Sequence, residues 1–598
     1  MTAALPSLPA LLARAMALAQ ARQPGPAQDL LDQILRANPA EPDALHLLGL
    51  LRRRQGDNET AVDLFRRSLA ARPAQPHVQA NLGNALDALG RHEEAIAAYR
   101  AALALQPDHP DARTNLGLTQ IAAGRAQEAC ETLARPTNGP GWSALGRALR
   151  EAGRLDEAVA ALETAATLRP DHLPTLHALG VTLRLHGRAD AAAELLQRAV
   201  ALHPGAAQTH YVLGHCLHDL GRIAEALDCY AKVVEIDPAF REAHDRLSRL
   251  RWQQGQADRW LSNYAEAIAR RPDDGGLFAD LAAKLNLAGQ TTDSIAMLET
   301  TIARGIEHPE VHHRLGQALE AGGRTAEAVA ALERALRLDP VSDAIALDLA
   351  RARIAAADWR GAHAALDGVL ARAPFDQQAL AYRALAWRRA HDPRAAWLDD
   401  RNRFVVETML PPPPGYAGIE AFNARLAAVL AGLHDGVRHP IEQTLRGGTQ
   451  TAGHLFARAE PEIRALESML RAAVADYVAA LPAEEDHPFL ARRGADFRFS
   501  GAWSVRLREP GFHLNHVHAR GWISSVYYVA LPDAVADPAA RQGWLTLGQS
   551  SLAGDEIGQA IQPRPGLLVL FPSYTYHGTL PFAAGTDRLT VAFDVVPG

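Results

Sequence analysis

The segment that decides the fold runs from residue 81 to residue 107 and reads NLGNALDALGRHEEAIAAYRAALALQP. Its Leu-Gly pair ends at Gly83, and the same pair ends 34 residues away on either side, at Gly49 and at Gly117. A Gly-Arg pair, Gly90-Arg91 in this segment, recurs with the same period. A constant period of this length indicates one structural unit that is stacked many times.

Each marker of the repeat has a physical role in a helix-turn-helix unit. The glycine of Leu-Gly allows two helices to approach closely, and the glycine of Gly-Arg ends the first helix in a left-handed cap. Ala95, Tyr99 and Ala102 follow at helical spacing and are expected to pack against neighbouring helices. Pro107 then stops the second helix, because proline cannot continue the ladder of hydrogen bonds.

The Leu-Gly, Ala, aromatic and Pro positions at this period resemble the tetratricopeptide repeat (TPR). The resemblance covers about residues 8–390 in ten or eleven units, and we assign residues 1–392 to an all-α superhelical solenoid. The step from Gly117 to Gly146 is shorter than 34 residues, which predicts a clipped second helix near residues 136–140.

The resemblance implies a protein or peptide partner in a groove lined by the first helix of each unit. Asn81 and Asn115 occupy equivalent positions, where stacked amides can hydrogen-bond a peptide backbone. Other units carry no asparagine at this position, so ordinary helix-surface polarity is the alternative interpretation.

Composition and charge exclude several other classes of partner. The formal net charge is -7 with a pI near 6.4, so no global basic field points to nucleic acid. The three cysteines show no paired spacing, which argues against a disulfide framework or a cysteine-based zinc site. The N-terminal segment lacks the basic stretch that precedes the apolar run of a signal peptide. No apolar stretch reaches the roughly 18 residues that a membrane span needs. We expect a cytoplasmic protein without a membrane partner.

The periodicity fades before a Pro-Pro-Pro-Pro-Gly break at residues 411–415, which indicates a connector, placed at residues 393–438. Two amphipathic helices are expected at 419–433 and 461–481, on either side of a Gly-rich loop at 445–451 whose Arg446 and Gln450 either cover a substrate or form a structural turn. The last domain, 439–598, changes to short β-rich runs. These predict a sandwich or jelly-roll barrel with strands at 499–507, 522–531, 544–547, 566–571 and 589–596.

Three histidines of this domain form a candidate metal site. His516 and His518 are two residues apart, so both rings point to one side of an extended segment, and His577 follows an apolar strand. Three imidazoles of this kind can cap one face of an octahedral metal ion. Isolated histidines are often structural, so the hypothesis depends on their combination with Arg588, eleven residues after His577. His513, offset by three residues from His516, is expected in a loop or beside the site.

The run from residue 506 to 528, the segment 572–577 and Arg588 together look like the Fe(II)- and 2-oxoglutarate-dependent dioxygenase family, in particular its prolyl-hydroxylase-like bacterial branch. The resemblance covers about residues 440–598. It implies a double-stranded β-helix (jelly-roll) fold, Fe(II) as cofactor and 2-oxoglutarate as cosubstrate. It further implies that His516 and His577 are metal ligands and that Arg588 and Tyr528 bind the far carboxylate of 2-oxoglutarate. His518 stands where most of the family has aspartate, and it completes the candidate ligand set.

Other positions leave alternatives open. Trp522 and Arg506 are candidate substrate contacts, while Trp503 and Trp522 fit a hydrophobic core equally well. The combination of solenoid and barrel favours an oxygenase that hydroxylates a protein or peptide recruited by the TPR array. Two alternatives remain, a three-histidine cupin-like metal dioxygenase that does not use 2-oxoglutarate and a protein-interaction scaffold with a degenerate barrel.

Overall fold

The computed structural model describes residues 7–256, 258–434, 444–451, 454–494, 496–550, 552, 556–583 and 586–598. The chain divides into two compact units, residues 1–270 and 271–598. The domain boundaries predicted at residues 392 and 438 stay predictions. Among the described residues, no helix is both long enough and apolar enough to cross a membrane.

The first unit is built of antiparallel helix pairs, as the 34-residue period predicts. The clipped second helix is confirmed, because α8 has 7 residues where the equivalent α6 has 14. The helices of this unit are α1 (Leu8–Gln20), α2 (Pro24–Ala37), α3 (Pro42–Arg54), α4 (Asn58–Ala71), α5 (Pro76–Ala88), α6 (His92–Leu105), α7 (Pro110–Ala122), α8 (Ala126–Thr132), α9 (Gly139–Glu151), α10 (Leu155–Leu168), α11 (Leu173–Leu185), α12 (Ala189–Leu202), α13 (Ala207–Asp219), α14 (Ile223–Ile236), α15 (Arg241–Gln253) and α16 (Ser262–Arg270).

The two glycines of each repeat have the roles that the sequence predicts. A Cβ atom on Gly83 would lie 2.6 Å from Cε1 of Tyr99, so only glycine allows α5 to pack directly on the tyrosine ring. Gly90, at the end of the same helix, has a φ of 72°, in the left-handed region that glycine adopts without strain. The repeat therefore combines one tight helix contact with one helix stop.

We expect Gly83→Ala to destabilise the first unit by about 1–3 kcal/mol, because the added methyl group overpacks the contact with Tyr99. The matched control is Gly205→Ala, an exposed position where an added Cβ would meet nothing within 4 Å. Urea unfolding followed by circular dichroism measures both variants. Equal midpoints for the two variants would contradict the predicted close contact.

The second unit begins with further helix pairs of the same kind and continues into two short helices and two longer ones. These are α17 (Gly275–Leu287), α18 (Thr291–Ala303), α19 (Pro309–Ala321), α20 (Thr325–Leu338), α21 (Asp343–Ala355), α22 (Trp359–Arg372), α23 (Gln377–Arg389), α24 (Arg394–Leu398), α25 (Arg401–Phe404), α26 (Ile419–Ala431) and α27 (Pro461–Ala480). Short 3-10 helices lie at Leu455–Ala457, Leu490–Arg492 and Asp533–Ala536. The two helices predicted at 419–433 and 461–481 are confirmed as α26 and α27.

A curled, antiparallel sheet forms the rest of the second unit, and this jelly-roll domain confirms the predicted fold class. The strand order is β1-β7-β4-β9-β3-β8-β5-β6, and β2 pairs with β3. The strands are β1 (Val406–Met409), β2 (Leu445–Gln450), β3 (Phe497–His516), β4 (Ile523–Ala530), β5 (Leu545–Leu547), β6 (Gln559–Ile561), β7 (Leu567–Pro572), β8 (His577–Thr579) and β9 (Arg588–Pro597).

The Gly-rich loop expected at residues 445–451, as a cover for a substrate or as a structural turn, is instead strand β2. Gln450 lies opposite Val505 and Arg446 lies opposite Phe512 in the β2–β3 ladder, with a register shift between them. A Cβ on Gly448 would come 2.3 Å from the carbonyl oxygen of Arg506, so the glycine permits the close approach of the two strands. The glycines that suggested a loop therefore serve strand pairing.

One hydrophobic core runs through the second unit from the last helix pairs to the sheet. It includes Leu385 of α23, Phe404 of α25, Phe422 of α26, Trp522 and Phe593 of β9. The connector also supplies β1, which pairs with β7, the strand that leads into the turn before His577. The sheet domain is thus packed against the segments that precede it in the chain.

Candidate metal centre

The structure brings the three predicted histidines together at one end of the sheet. His516 ends β3 and lies directly opposite His577, the first residue of β8, while His518 follows two residues after β3. The ring centroids of His516 and His577 are 4.3 Å apart, and that of His518 is 4.8 Å from His577. One ring nitrogen from each residue lies within 4.8 Å of the other two.

The Nδ1 atom of each histidine faces away from the shared centre and towards an acceptor. His516 Nδ1 donates to the carbonyl oxygen of Leu514 at 2.7 Å, and His577 Nδ1 donates to that of Thr575 at 3.1 Å. A carbonyl can only accept a hydrogen bond, so Nδ1 carries the proton in both rings. The Nε2 lone pairs of these two residues are therefore available for a metal ion.

Burial keeps the imidazoles of His516 and His577 neutral. Desolvation, with a smaller contribution from His518, lowers the pKa of His516 to about 4. Burial, followed by the nearby histidines, lowers the pKa of His577 well below its usual value. Neutral imidazole is the form that binds a metal ion.

The spacing of the ring nitrogens fits a metal ion. His516 Nε2 and His518 Nε2 are 3.2 Å apart. Two nitrogens bound at right angles to one ion at about 2.1 Å would be about 3 Å apart. Three imidazoles with outward Nδ1 donors are a common metal-binding arrangement, and they fit an ion with further positions open.

These histidines face a small cavity of about 60 Å³ inside the barrel. Among the described residues that line it, none is acidic and Arg588 is the one permanent cation. The lining residues are Trp503, Val505, His513, His516, His518, Ser525, Val526, Leu545, Phe571, His577, Gly578, Thr579, Arg588, Thr590 and Ala592.

Arg588 is only 2% exposed, and among the described residues no carboxylate forms an ion pair with it. Its Nε donates to the carbonyl oxygen of Gly543 at 3.3 Å, and its guanidinium carbon lies 5.2 Å from the centre of the Tyr528 ring. Burial raises the pKa of Tyr528 to about 12, although the Arg588 charge acts in the opposite direction. No partner with normal hydrogen-bond geometry reaches the buried Tyr528 hydroxyl from the described part of the chain.

A buried guanidinium and a buried phenol at one cavity fit an anionic ligand. A carboxylate would balance the Arg588 charge, which in a low-dielectric site is costly to leave unpaired. It would also accept from the Tyr528 hydroxyl. These two residues therefore fit a ligand that carries a carboxylate.

Comparison with known families identifies a repeat region and a separate domain near the end of the chain. Residues 501–594 match the family model described as "Putative 2OG-Fe(II) oxygenase". The chain is a TPR protein with a 2OG-Fe(II) oxygenase domain. Models of the tetratricopeptide repeat match residues 12–76, 83–124, 141–205, 183–250, 288–343 and 318–386.

Solved structures similar to this TPR protein include three from different organisms. A tetratricopeptide repeat protein from Parabacteroides merdae is 16% identical, with 40% of this chain and 96% of that chain covered and a TM-score of 0.34. Yeast Tom70 is 15% identical, with 65% of this chain and 98% of that chain covered and a TM-score of 0.35. MamA from Desulfovibrio magneticus is 20% identical, with 28% of this chain and 96% of that chain covered and a TM-score of 0.26. Among curated proteins, no match is found.

His513 lies in a strand of the oxygenase domain and lines the cavity, where the sequence suggested a loop or a position beside the site. The register of β3 against β8 shifts between His513 and His516. This irregularity brings a residue at an odd offset towards the same cavity. Burial, followed by His516 and Arg588, lowers the pKa of His513 well below its usual value.

The candidate substrate contacts lie elsewhere. Trp522 is fully buried and donates from Nε1 to the carbonyl oxygen of Phe489, so it belongs to the core and does not line the cavity. Arg506 forms an ion pair with Asp587 and does not line the cavity either. Trp503 does line it, with its ring 5.7 Å from that of His518.

Asn81 and Asn115 are in the first unit, and both amides make contacts between successive repeats. Asn81 Nδ2 lies 3.0 Å from His46 Nε2, and Asn115 Nδ2 donates to Asn84 Oδ1 at 2.8 Å. The amide nitrogens thus already take part in contacts inside the array. A role of these two residues in binding a partner stays a prediction.

Sequence reasoning missed Asp594, which hydrogen-bonds to His518. The signal was present in the alternation of β9, because Arg588, Thr590 and Ala592 all line the cavity and Asp594 continues the same face. A search for polar residues at even offsets from Arg588 would have found it.

Proposed function

We propose that this TPR protein is an Fe(II)- and 2-oxoglutarate-dependent dioxygenase that hydroxylates a protein or peptide. One observation carries the proposal. Three histidines with outward Nδ1 donors face the same cavity as a buried arginine. Among the described residues, this arginine has no carboxylate partner. One oxygen atom of dioxygen would enter a substrate C–H bond as a hydroxyl group. The other would enter succinate as 2-oxoglutarate loses carbon dioxide.

Each cavity residue has a distinct task in this proposal. His516, His518 and His577 would hold Fe(II) through Nε2. Fe(II) bound there would supply the activation of dioxygen. Arg588 would bind the far carboxylate of 2-oxoglutarate through paired hydrogen bonds, and Tyr528, kept as a neutral phenol, would donate a further one.

The TPR array would recruit the substrate. Such helical repeats present extended surfaces suited to peptide and protein partners. The protein or peptide nature of this partner and the expected cytoplasmic location are predictions that follow from the repeat type and from the sequence.

We expect Arg588→Met to weaken 2-oxoglutarate binding at least 100-fold, a loss of about 3 kcal/mol, while metal affinity changes little. The substitution removes a charge-assisted pair of hydrogen bonds from a buried site. Calorimetric titration of the Co(II)-loaded chain with 2-oxoglutarate measures this affinity without turnover, and succinate formation with Fe(II) measures the reaction. Arg498→Met, an exposed position on β3, is the matched control.

His518 supports a second candidate function. A site of three imidazoles without a carboxylate ligand suits a three-histidine dioxygenase that does not use 2-oxoglutarate. In that case the wild-type chain would bind a metal ion but not 2-oxoglutarate. The Arg588→Met variant would then retain the wild-type activity.

A further inference from the structure

The three histidines differ in what accepts the hydrogen bond from Nδ1. For His516 and His577 the acceptor is a neutral backbone carbonyl. For His518 it is the carboxylate of Asp594, with Nδ1 and Oδ1 2.5 Å apart. Both side chains are about 15% exposed, so water screens the contact little. His518 is therefore the ligand candidate with a charged partner.

The fold holds this carboxylate in place. Asp594 lies opposite Ser524 in the β4–β9 ladder, and Ser524 Oγ donates to Asp594 Oδ1 at 2.8 Å. The same Oγ is 2.9 Å from Oγ of Ser573, in the turn before His577. A Cβ on Gly521 would come 2.2 Å from Ser573 Oγ and 3.5 Å from the Asp594 carboxyl carbon, so glycine leaves room for this arrangement.

We propose that Asp594 is a positioning residue that orients His518 towards the metal ion and supplies, one hydrogen bond away, the negative charge that the three-histidine set lacks. A carboxylate that accepts from a ligating imidazole fixes the ring and raises its basicity as a ligand. Asp594 of β9 would in this way supply the carboxylate that is missing at position 518, where this chain has histidine. This inference rests on the proposed function, because it assumes that His518 binds the metal.

The test is metal binding by the full chain. Asp594→Asn keeps an acceptor oxygen and the side-chain shape but removes the charge. We expect it to lower the affinity for Co(II) about 10–100-fold in calorimetric titration and to alter the visible absorption of bound Co(II). Ser524→Ala removes the hydrogen bond to Asp594 and the 3.1 Å contact of the same Oγ with His518 Nδ1 but leaves the carboxylate charge, so it should weaken binding less than Asp594→Asn. Circular dichroism verifies that each variant is folded.

A double-variant cycle separates charge from structure. Asp594→Asn should weaken metal binding in the wild-type background but not in the His518→Asp background. In His518→Asp the carboxylate of residue 518 would itself be the ligand, and the Asp594 carboxylate would repel it. A merely structural role for Asp594 predicts the same loss in both backgrounds. Such a result, or wild-type affinity in Asp594→Asn, would overturn this inference alone. Failure of the wild-type chain to bind Fe(II) or Co(II) would overturn it together with the proposed function.

Discussion

The variant His577→Ala is expected to lose metal binding and, with it, all succinate formation from 2-oxoglutarate. His577 is the member of the histidine cluster that comes from β8, and its ring centre lies within 4.8 Å of those of both His516 and His518. Loss of a residue that only hydrogen-bonds to a metal ligand typically lowers metal affinity 10–100-fold. Loss of one of three ligands should therefore lower it by at least about 100-fold.

Thermal unfolding gives a readout that does not depend on a known substrate. A ligand that binds only the folded chain stabilises it by about 2.7 kcal/mol at 100 times its dissociation constant. Fe(II) or Co(II) should therefore raise the Tm of the wild-type second unit and leave that of His577→Ala unchanged. His218→Ala, an exposed histidine in the first unit, should behave as the wild type.

The outcome also separates the proposed oxygenase from a scaffold with a degenerate barrel. A scaffold would show no metal-dependent change in Tm in the wild-type chain, and His577→Ala would then differ from it only through lost packing. His577 packs on Phe571, with ring centres 4.8 Å apart, so this packing effect would be present with or without metal. A metal-induced shift of equal size in His577→Ala would contradict the assignment of His577 as a ligand.

The solenoid could be predicted because its signals are local and repeated. The close approach of Gly83 to Tyr99 and the left-handed Gly90 follow from residue types at fixed spacing, and each is repeated along the chain. In the barrel, the apolar strand before His577 was equally clear. The neighbouring strand β1 could not be predicted, because its four residues carry no alternating pattern. They lie between a short helix and the proline run.

The candidate site was predictable only in part, since a register shift and a long-range contact are not local features. His516 and His518 share a face by simple alternation, whereas His513 reaches the cavity through an irregularity in β3 that depends on its pairing with β8. The contact of Asp594 with His518 joins residues far apart in the chain. The position of Trp522 was undecided because a tryptophan beside a ligand segment suits a core and a pocket equally well.

A fragment of residues 439–598 is expected not to fold, although this is the extent predicted for the oxygenase domain. Residues that precede it belong to the same hydrophobic core, including Leu398, Phe404, Phe422, Leu426 and Leu430, each at most 1% exposed. Removal of one such side chain typically costs about 2–5 kcal/mol. Removal of these five side chains would cost about 10–25 kcal/mol, which matches or exceeds the 5–15 kcal/mol that stabilises a typical domain.

The connector also holds the turn that carries His577. Tyr574 donates from its hydroxyl to the carbonyl oxygen of Leu398 at 2.7 Å, and Thr575 Oγ1 donates to Asp399 Oδ1 at 2.9 Å. The carbonyl of the same Thr575 accepts the hydrogen bond from His577 Nδ1. The orientation of this candidate ligand therefore depends on residues outside the predicted oxygenase domain.

Two fragments and one variant test this dependence. Residues 271–598, the compact second unit, should fold cooperatively and bind Co(II), whereas residues 439–598 should show neither a cooperative transition nor metal binding. In the full chain, Tyr574→Phe should lower stability by about 1–3 kcal/mol, because it leaves the buried carbonyl of Leu398 without this donor. If residues 439–598 folded and bound Co(II) as tightly as the full chain, the shared core and the connector would contribute nothing to the site. We expect the reverse, since the shared core and the contact that orients His577 are both lost when the preceding segments are removed.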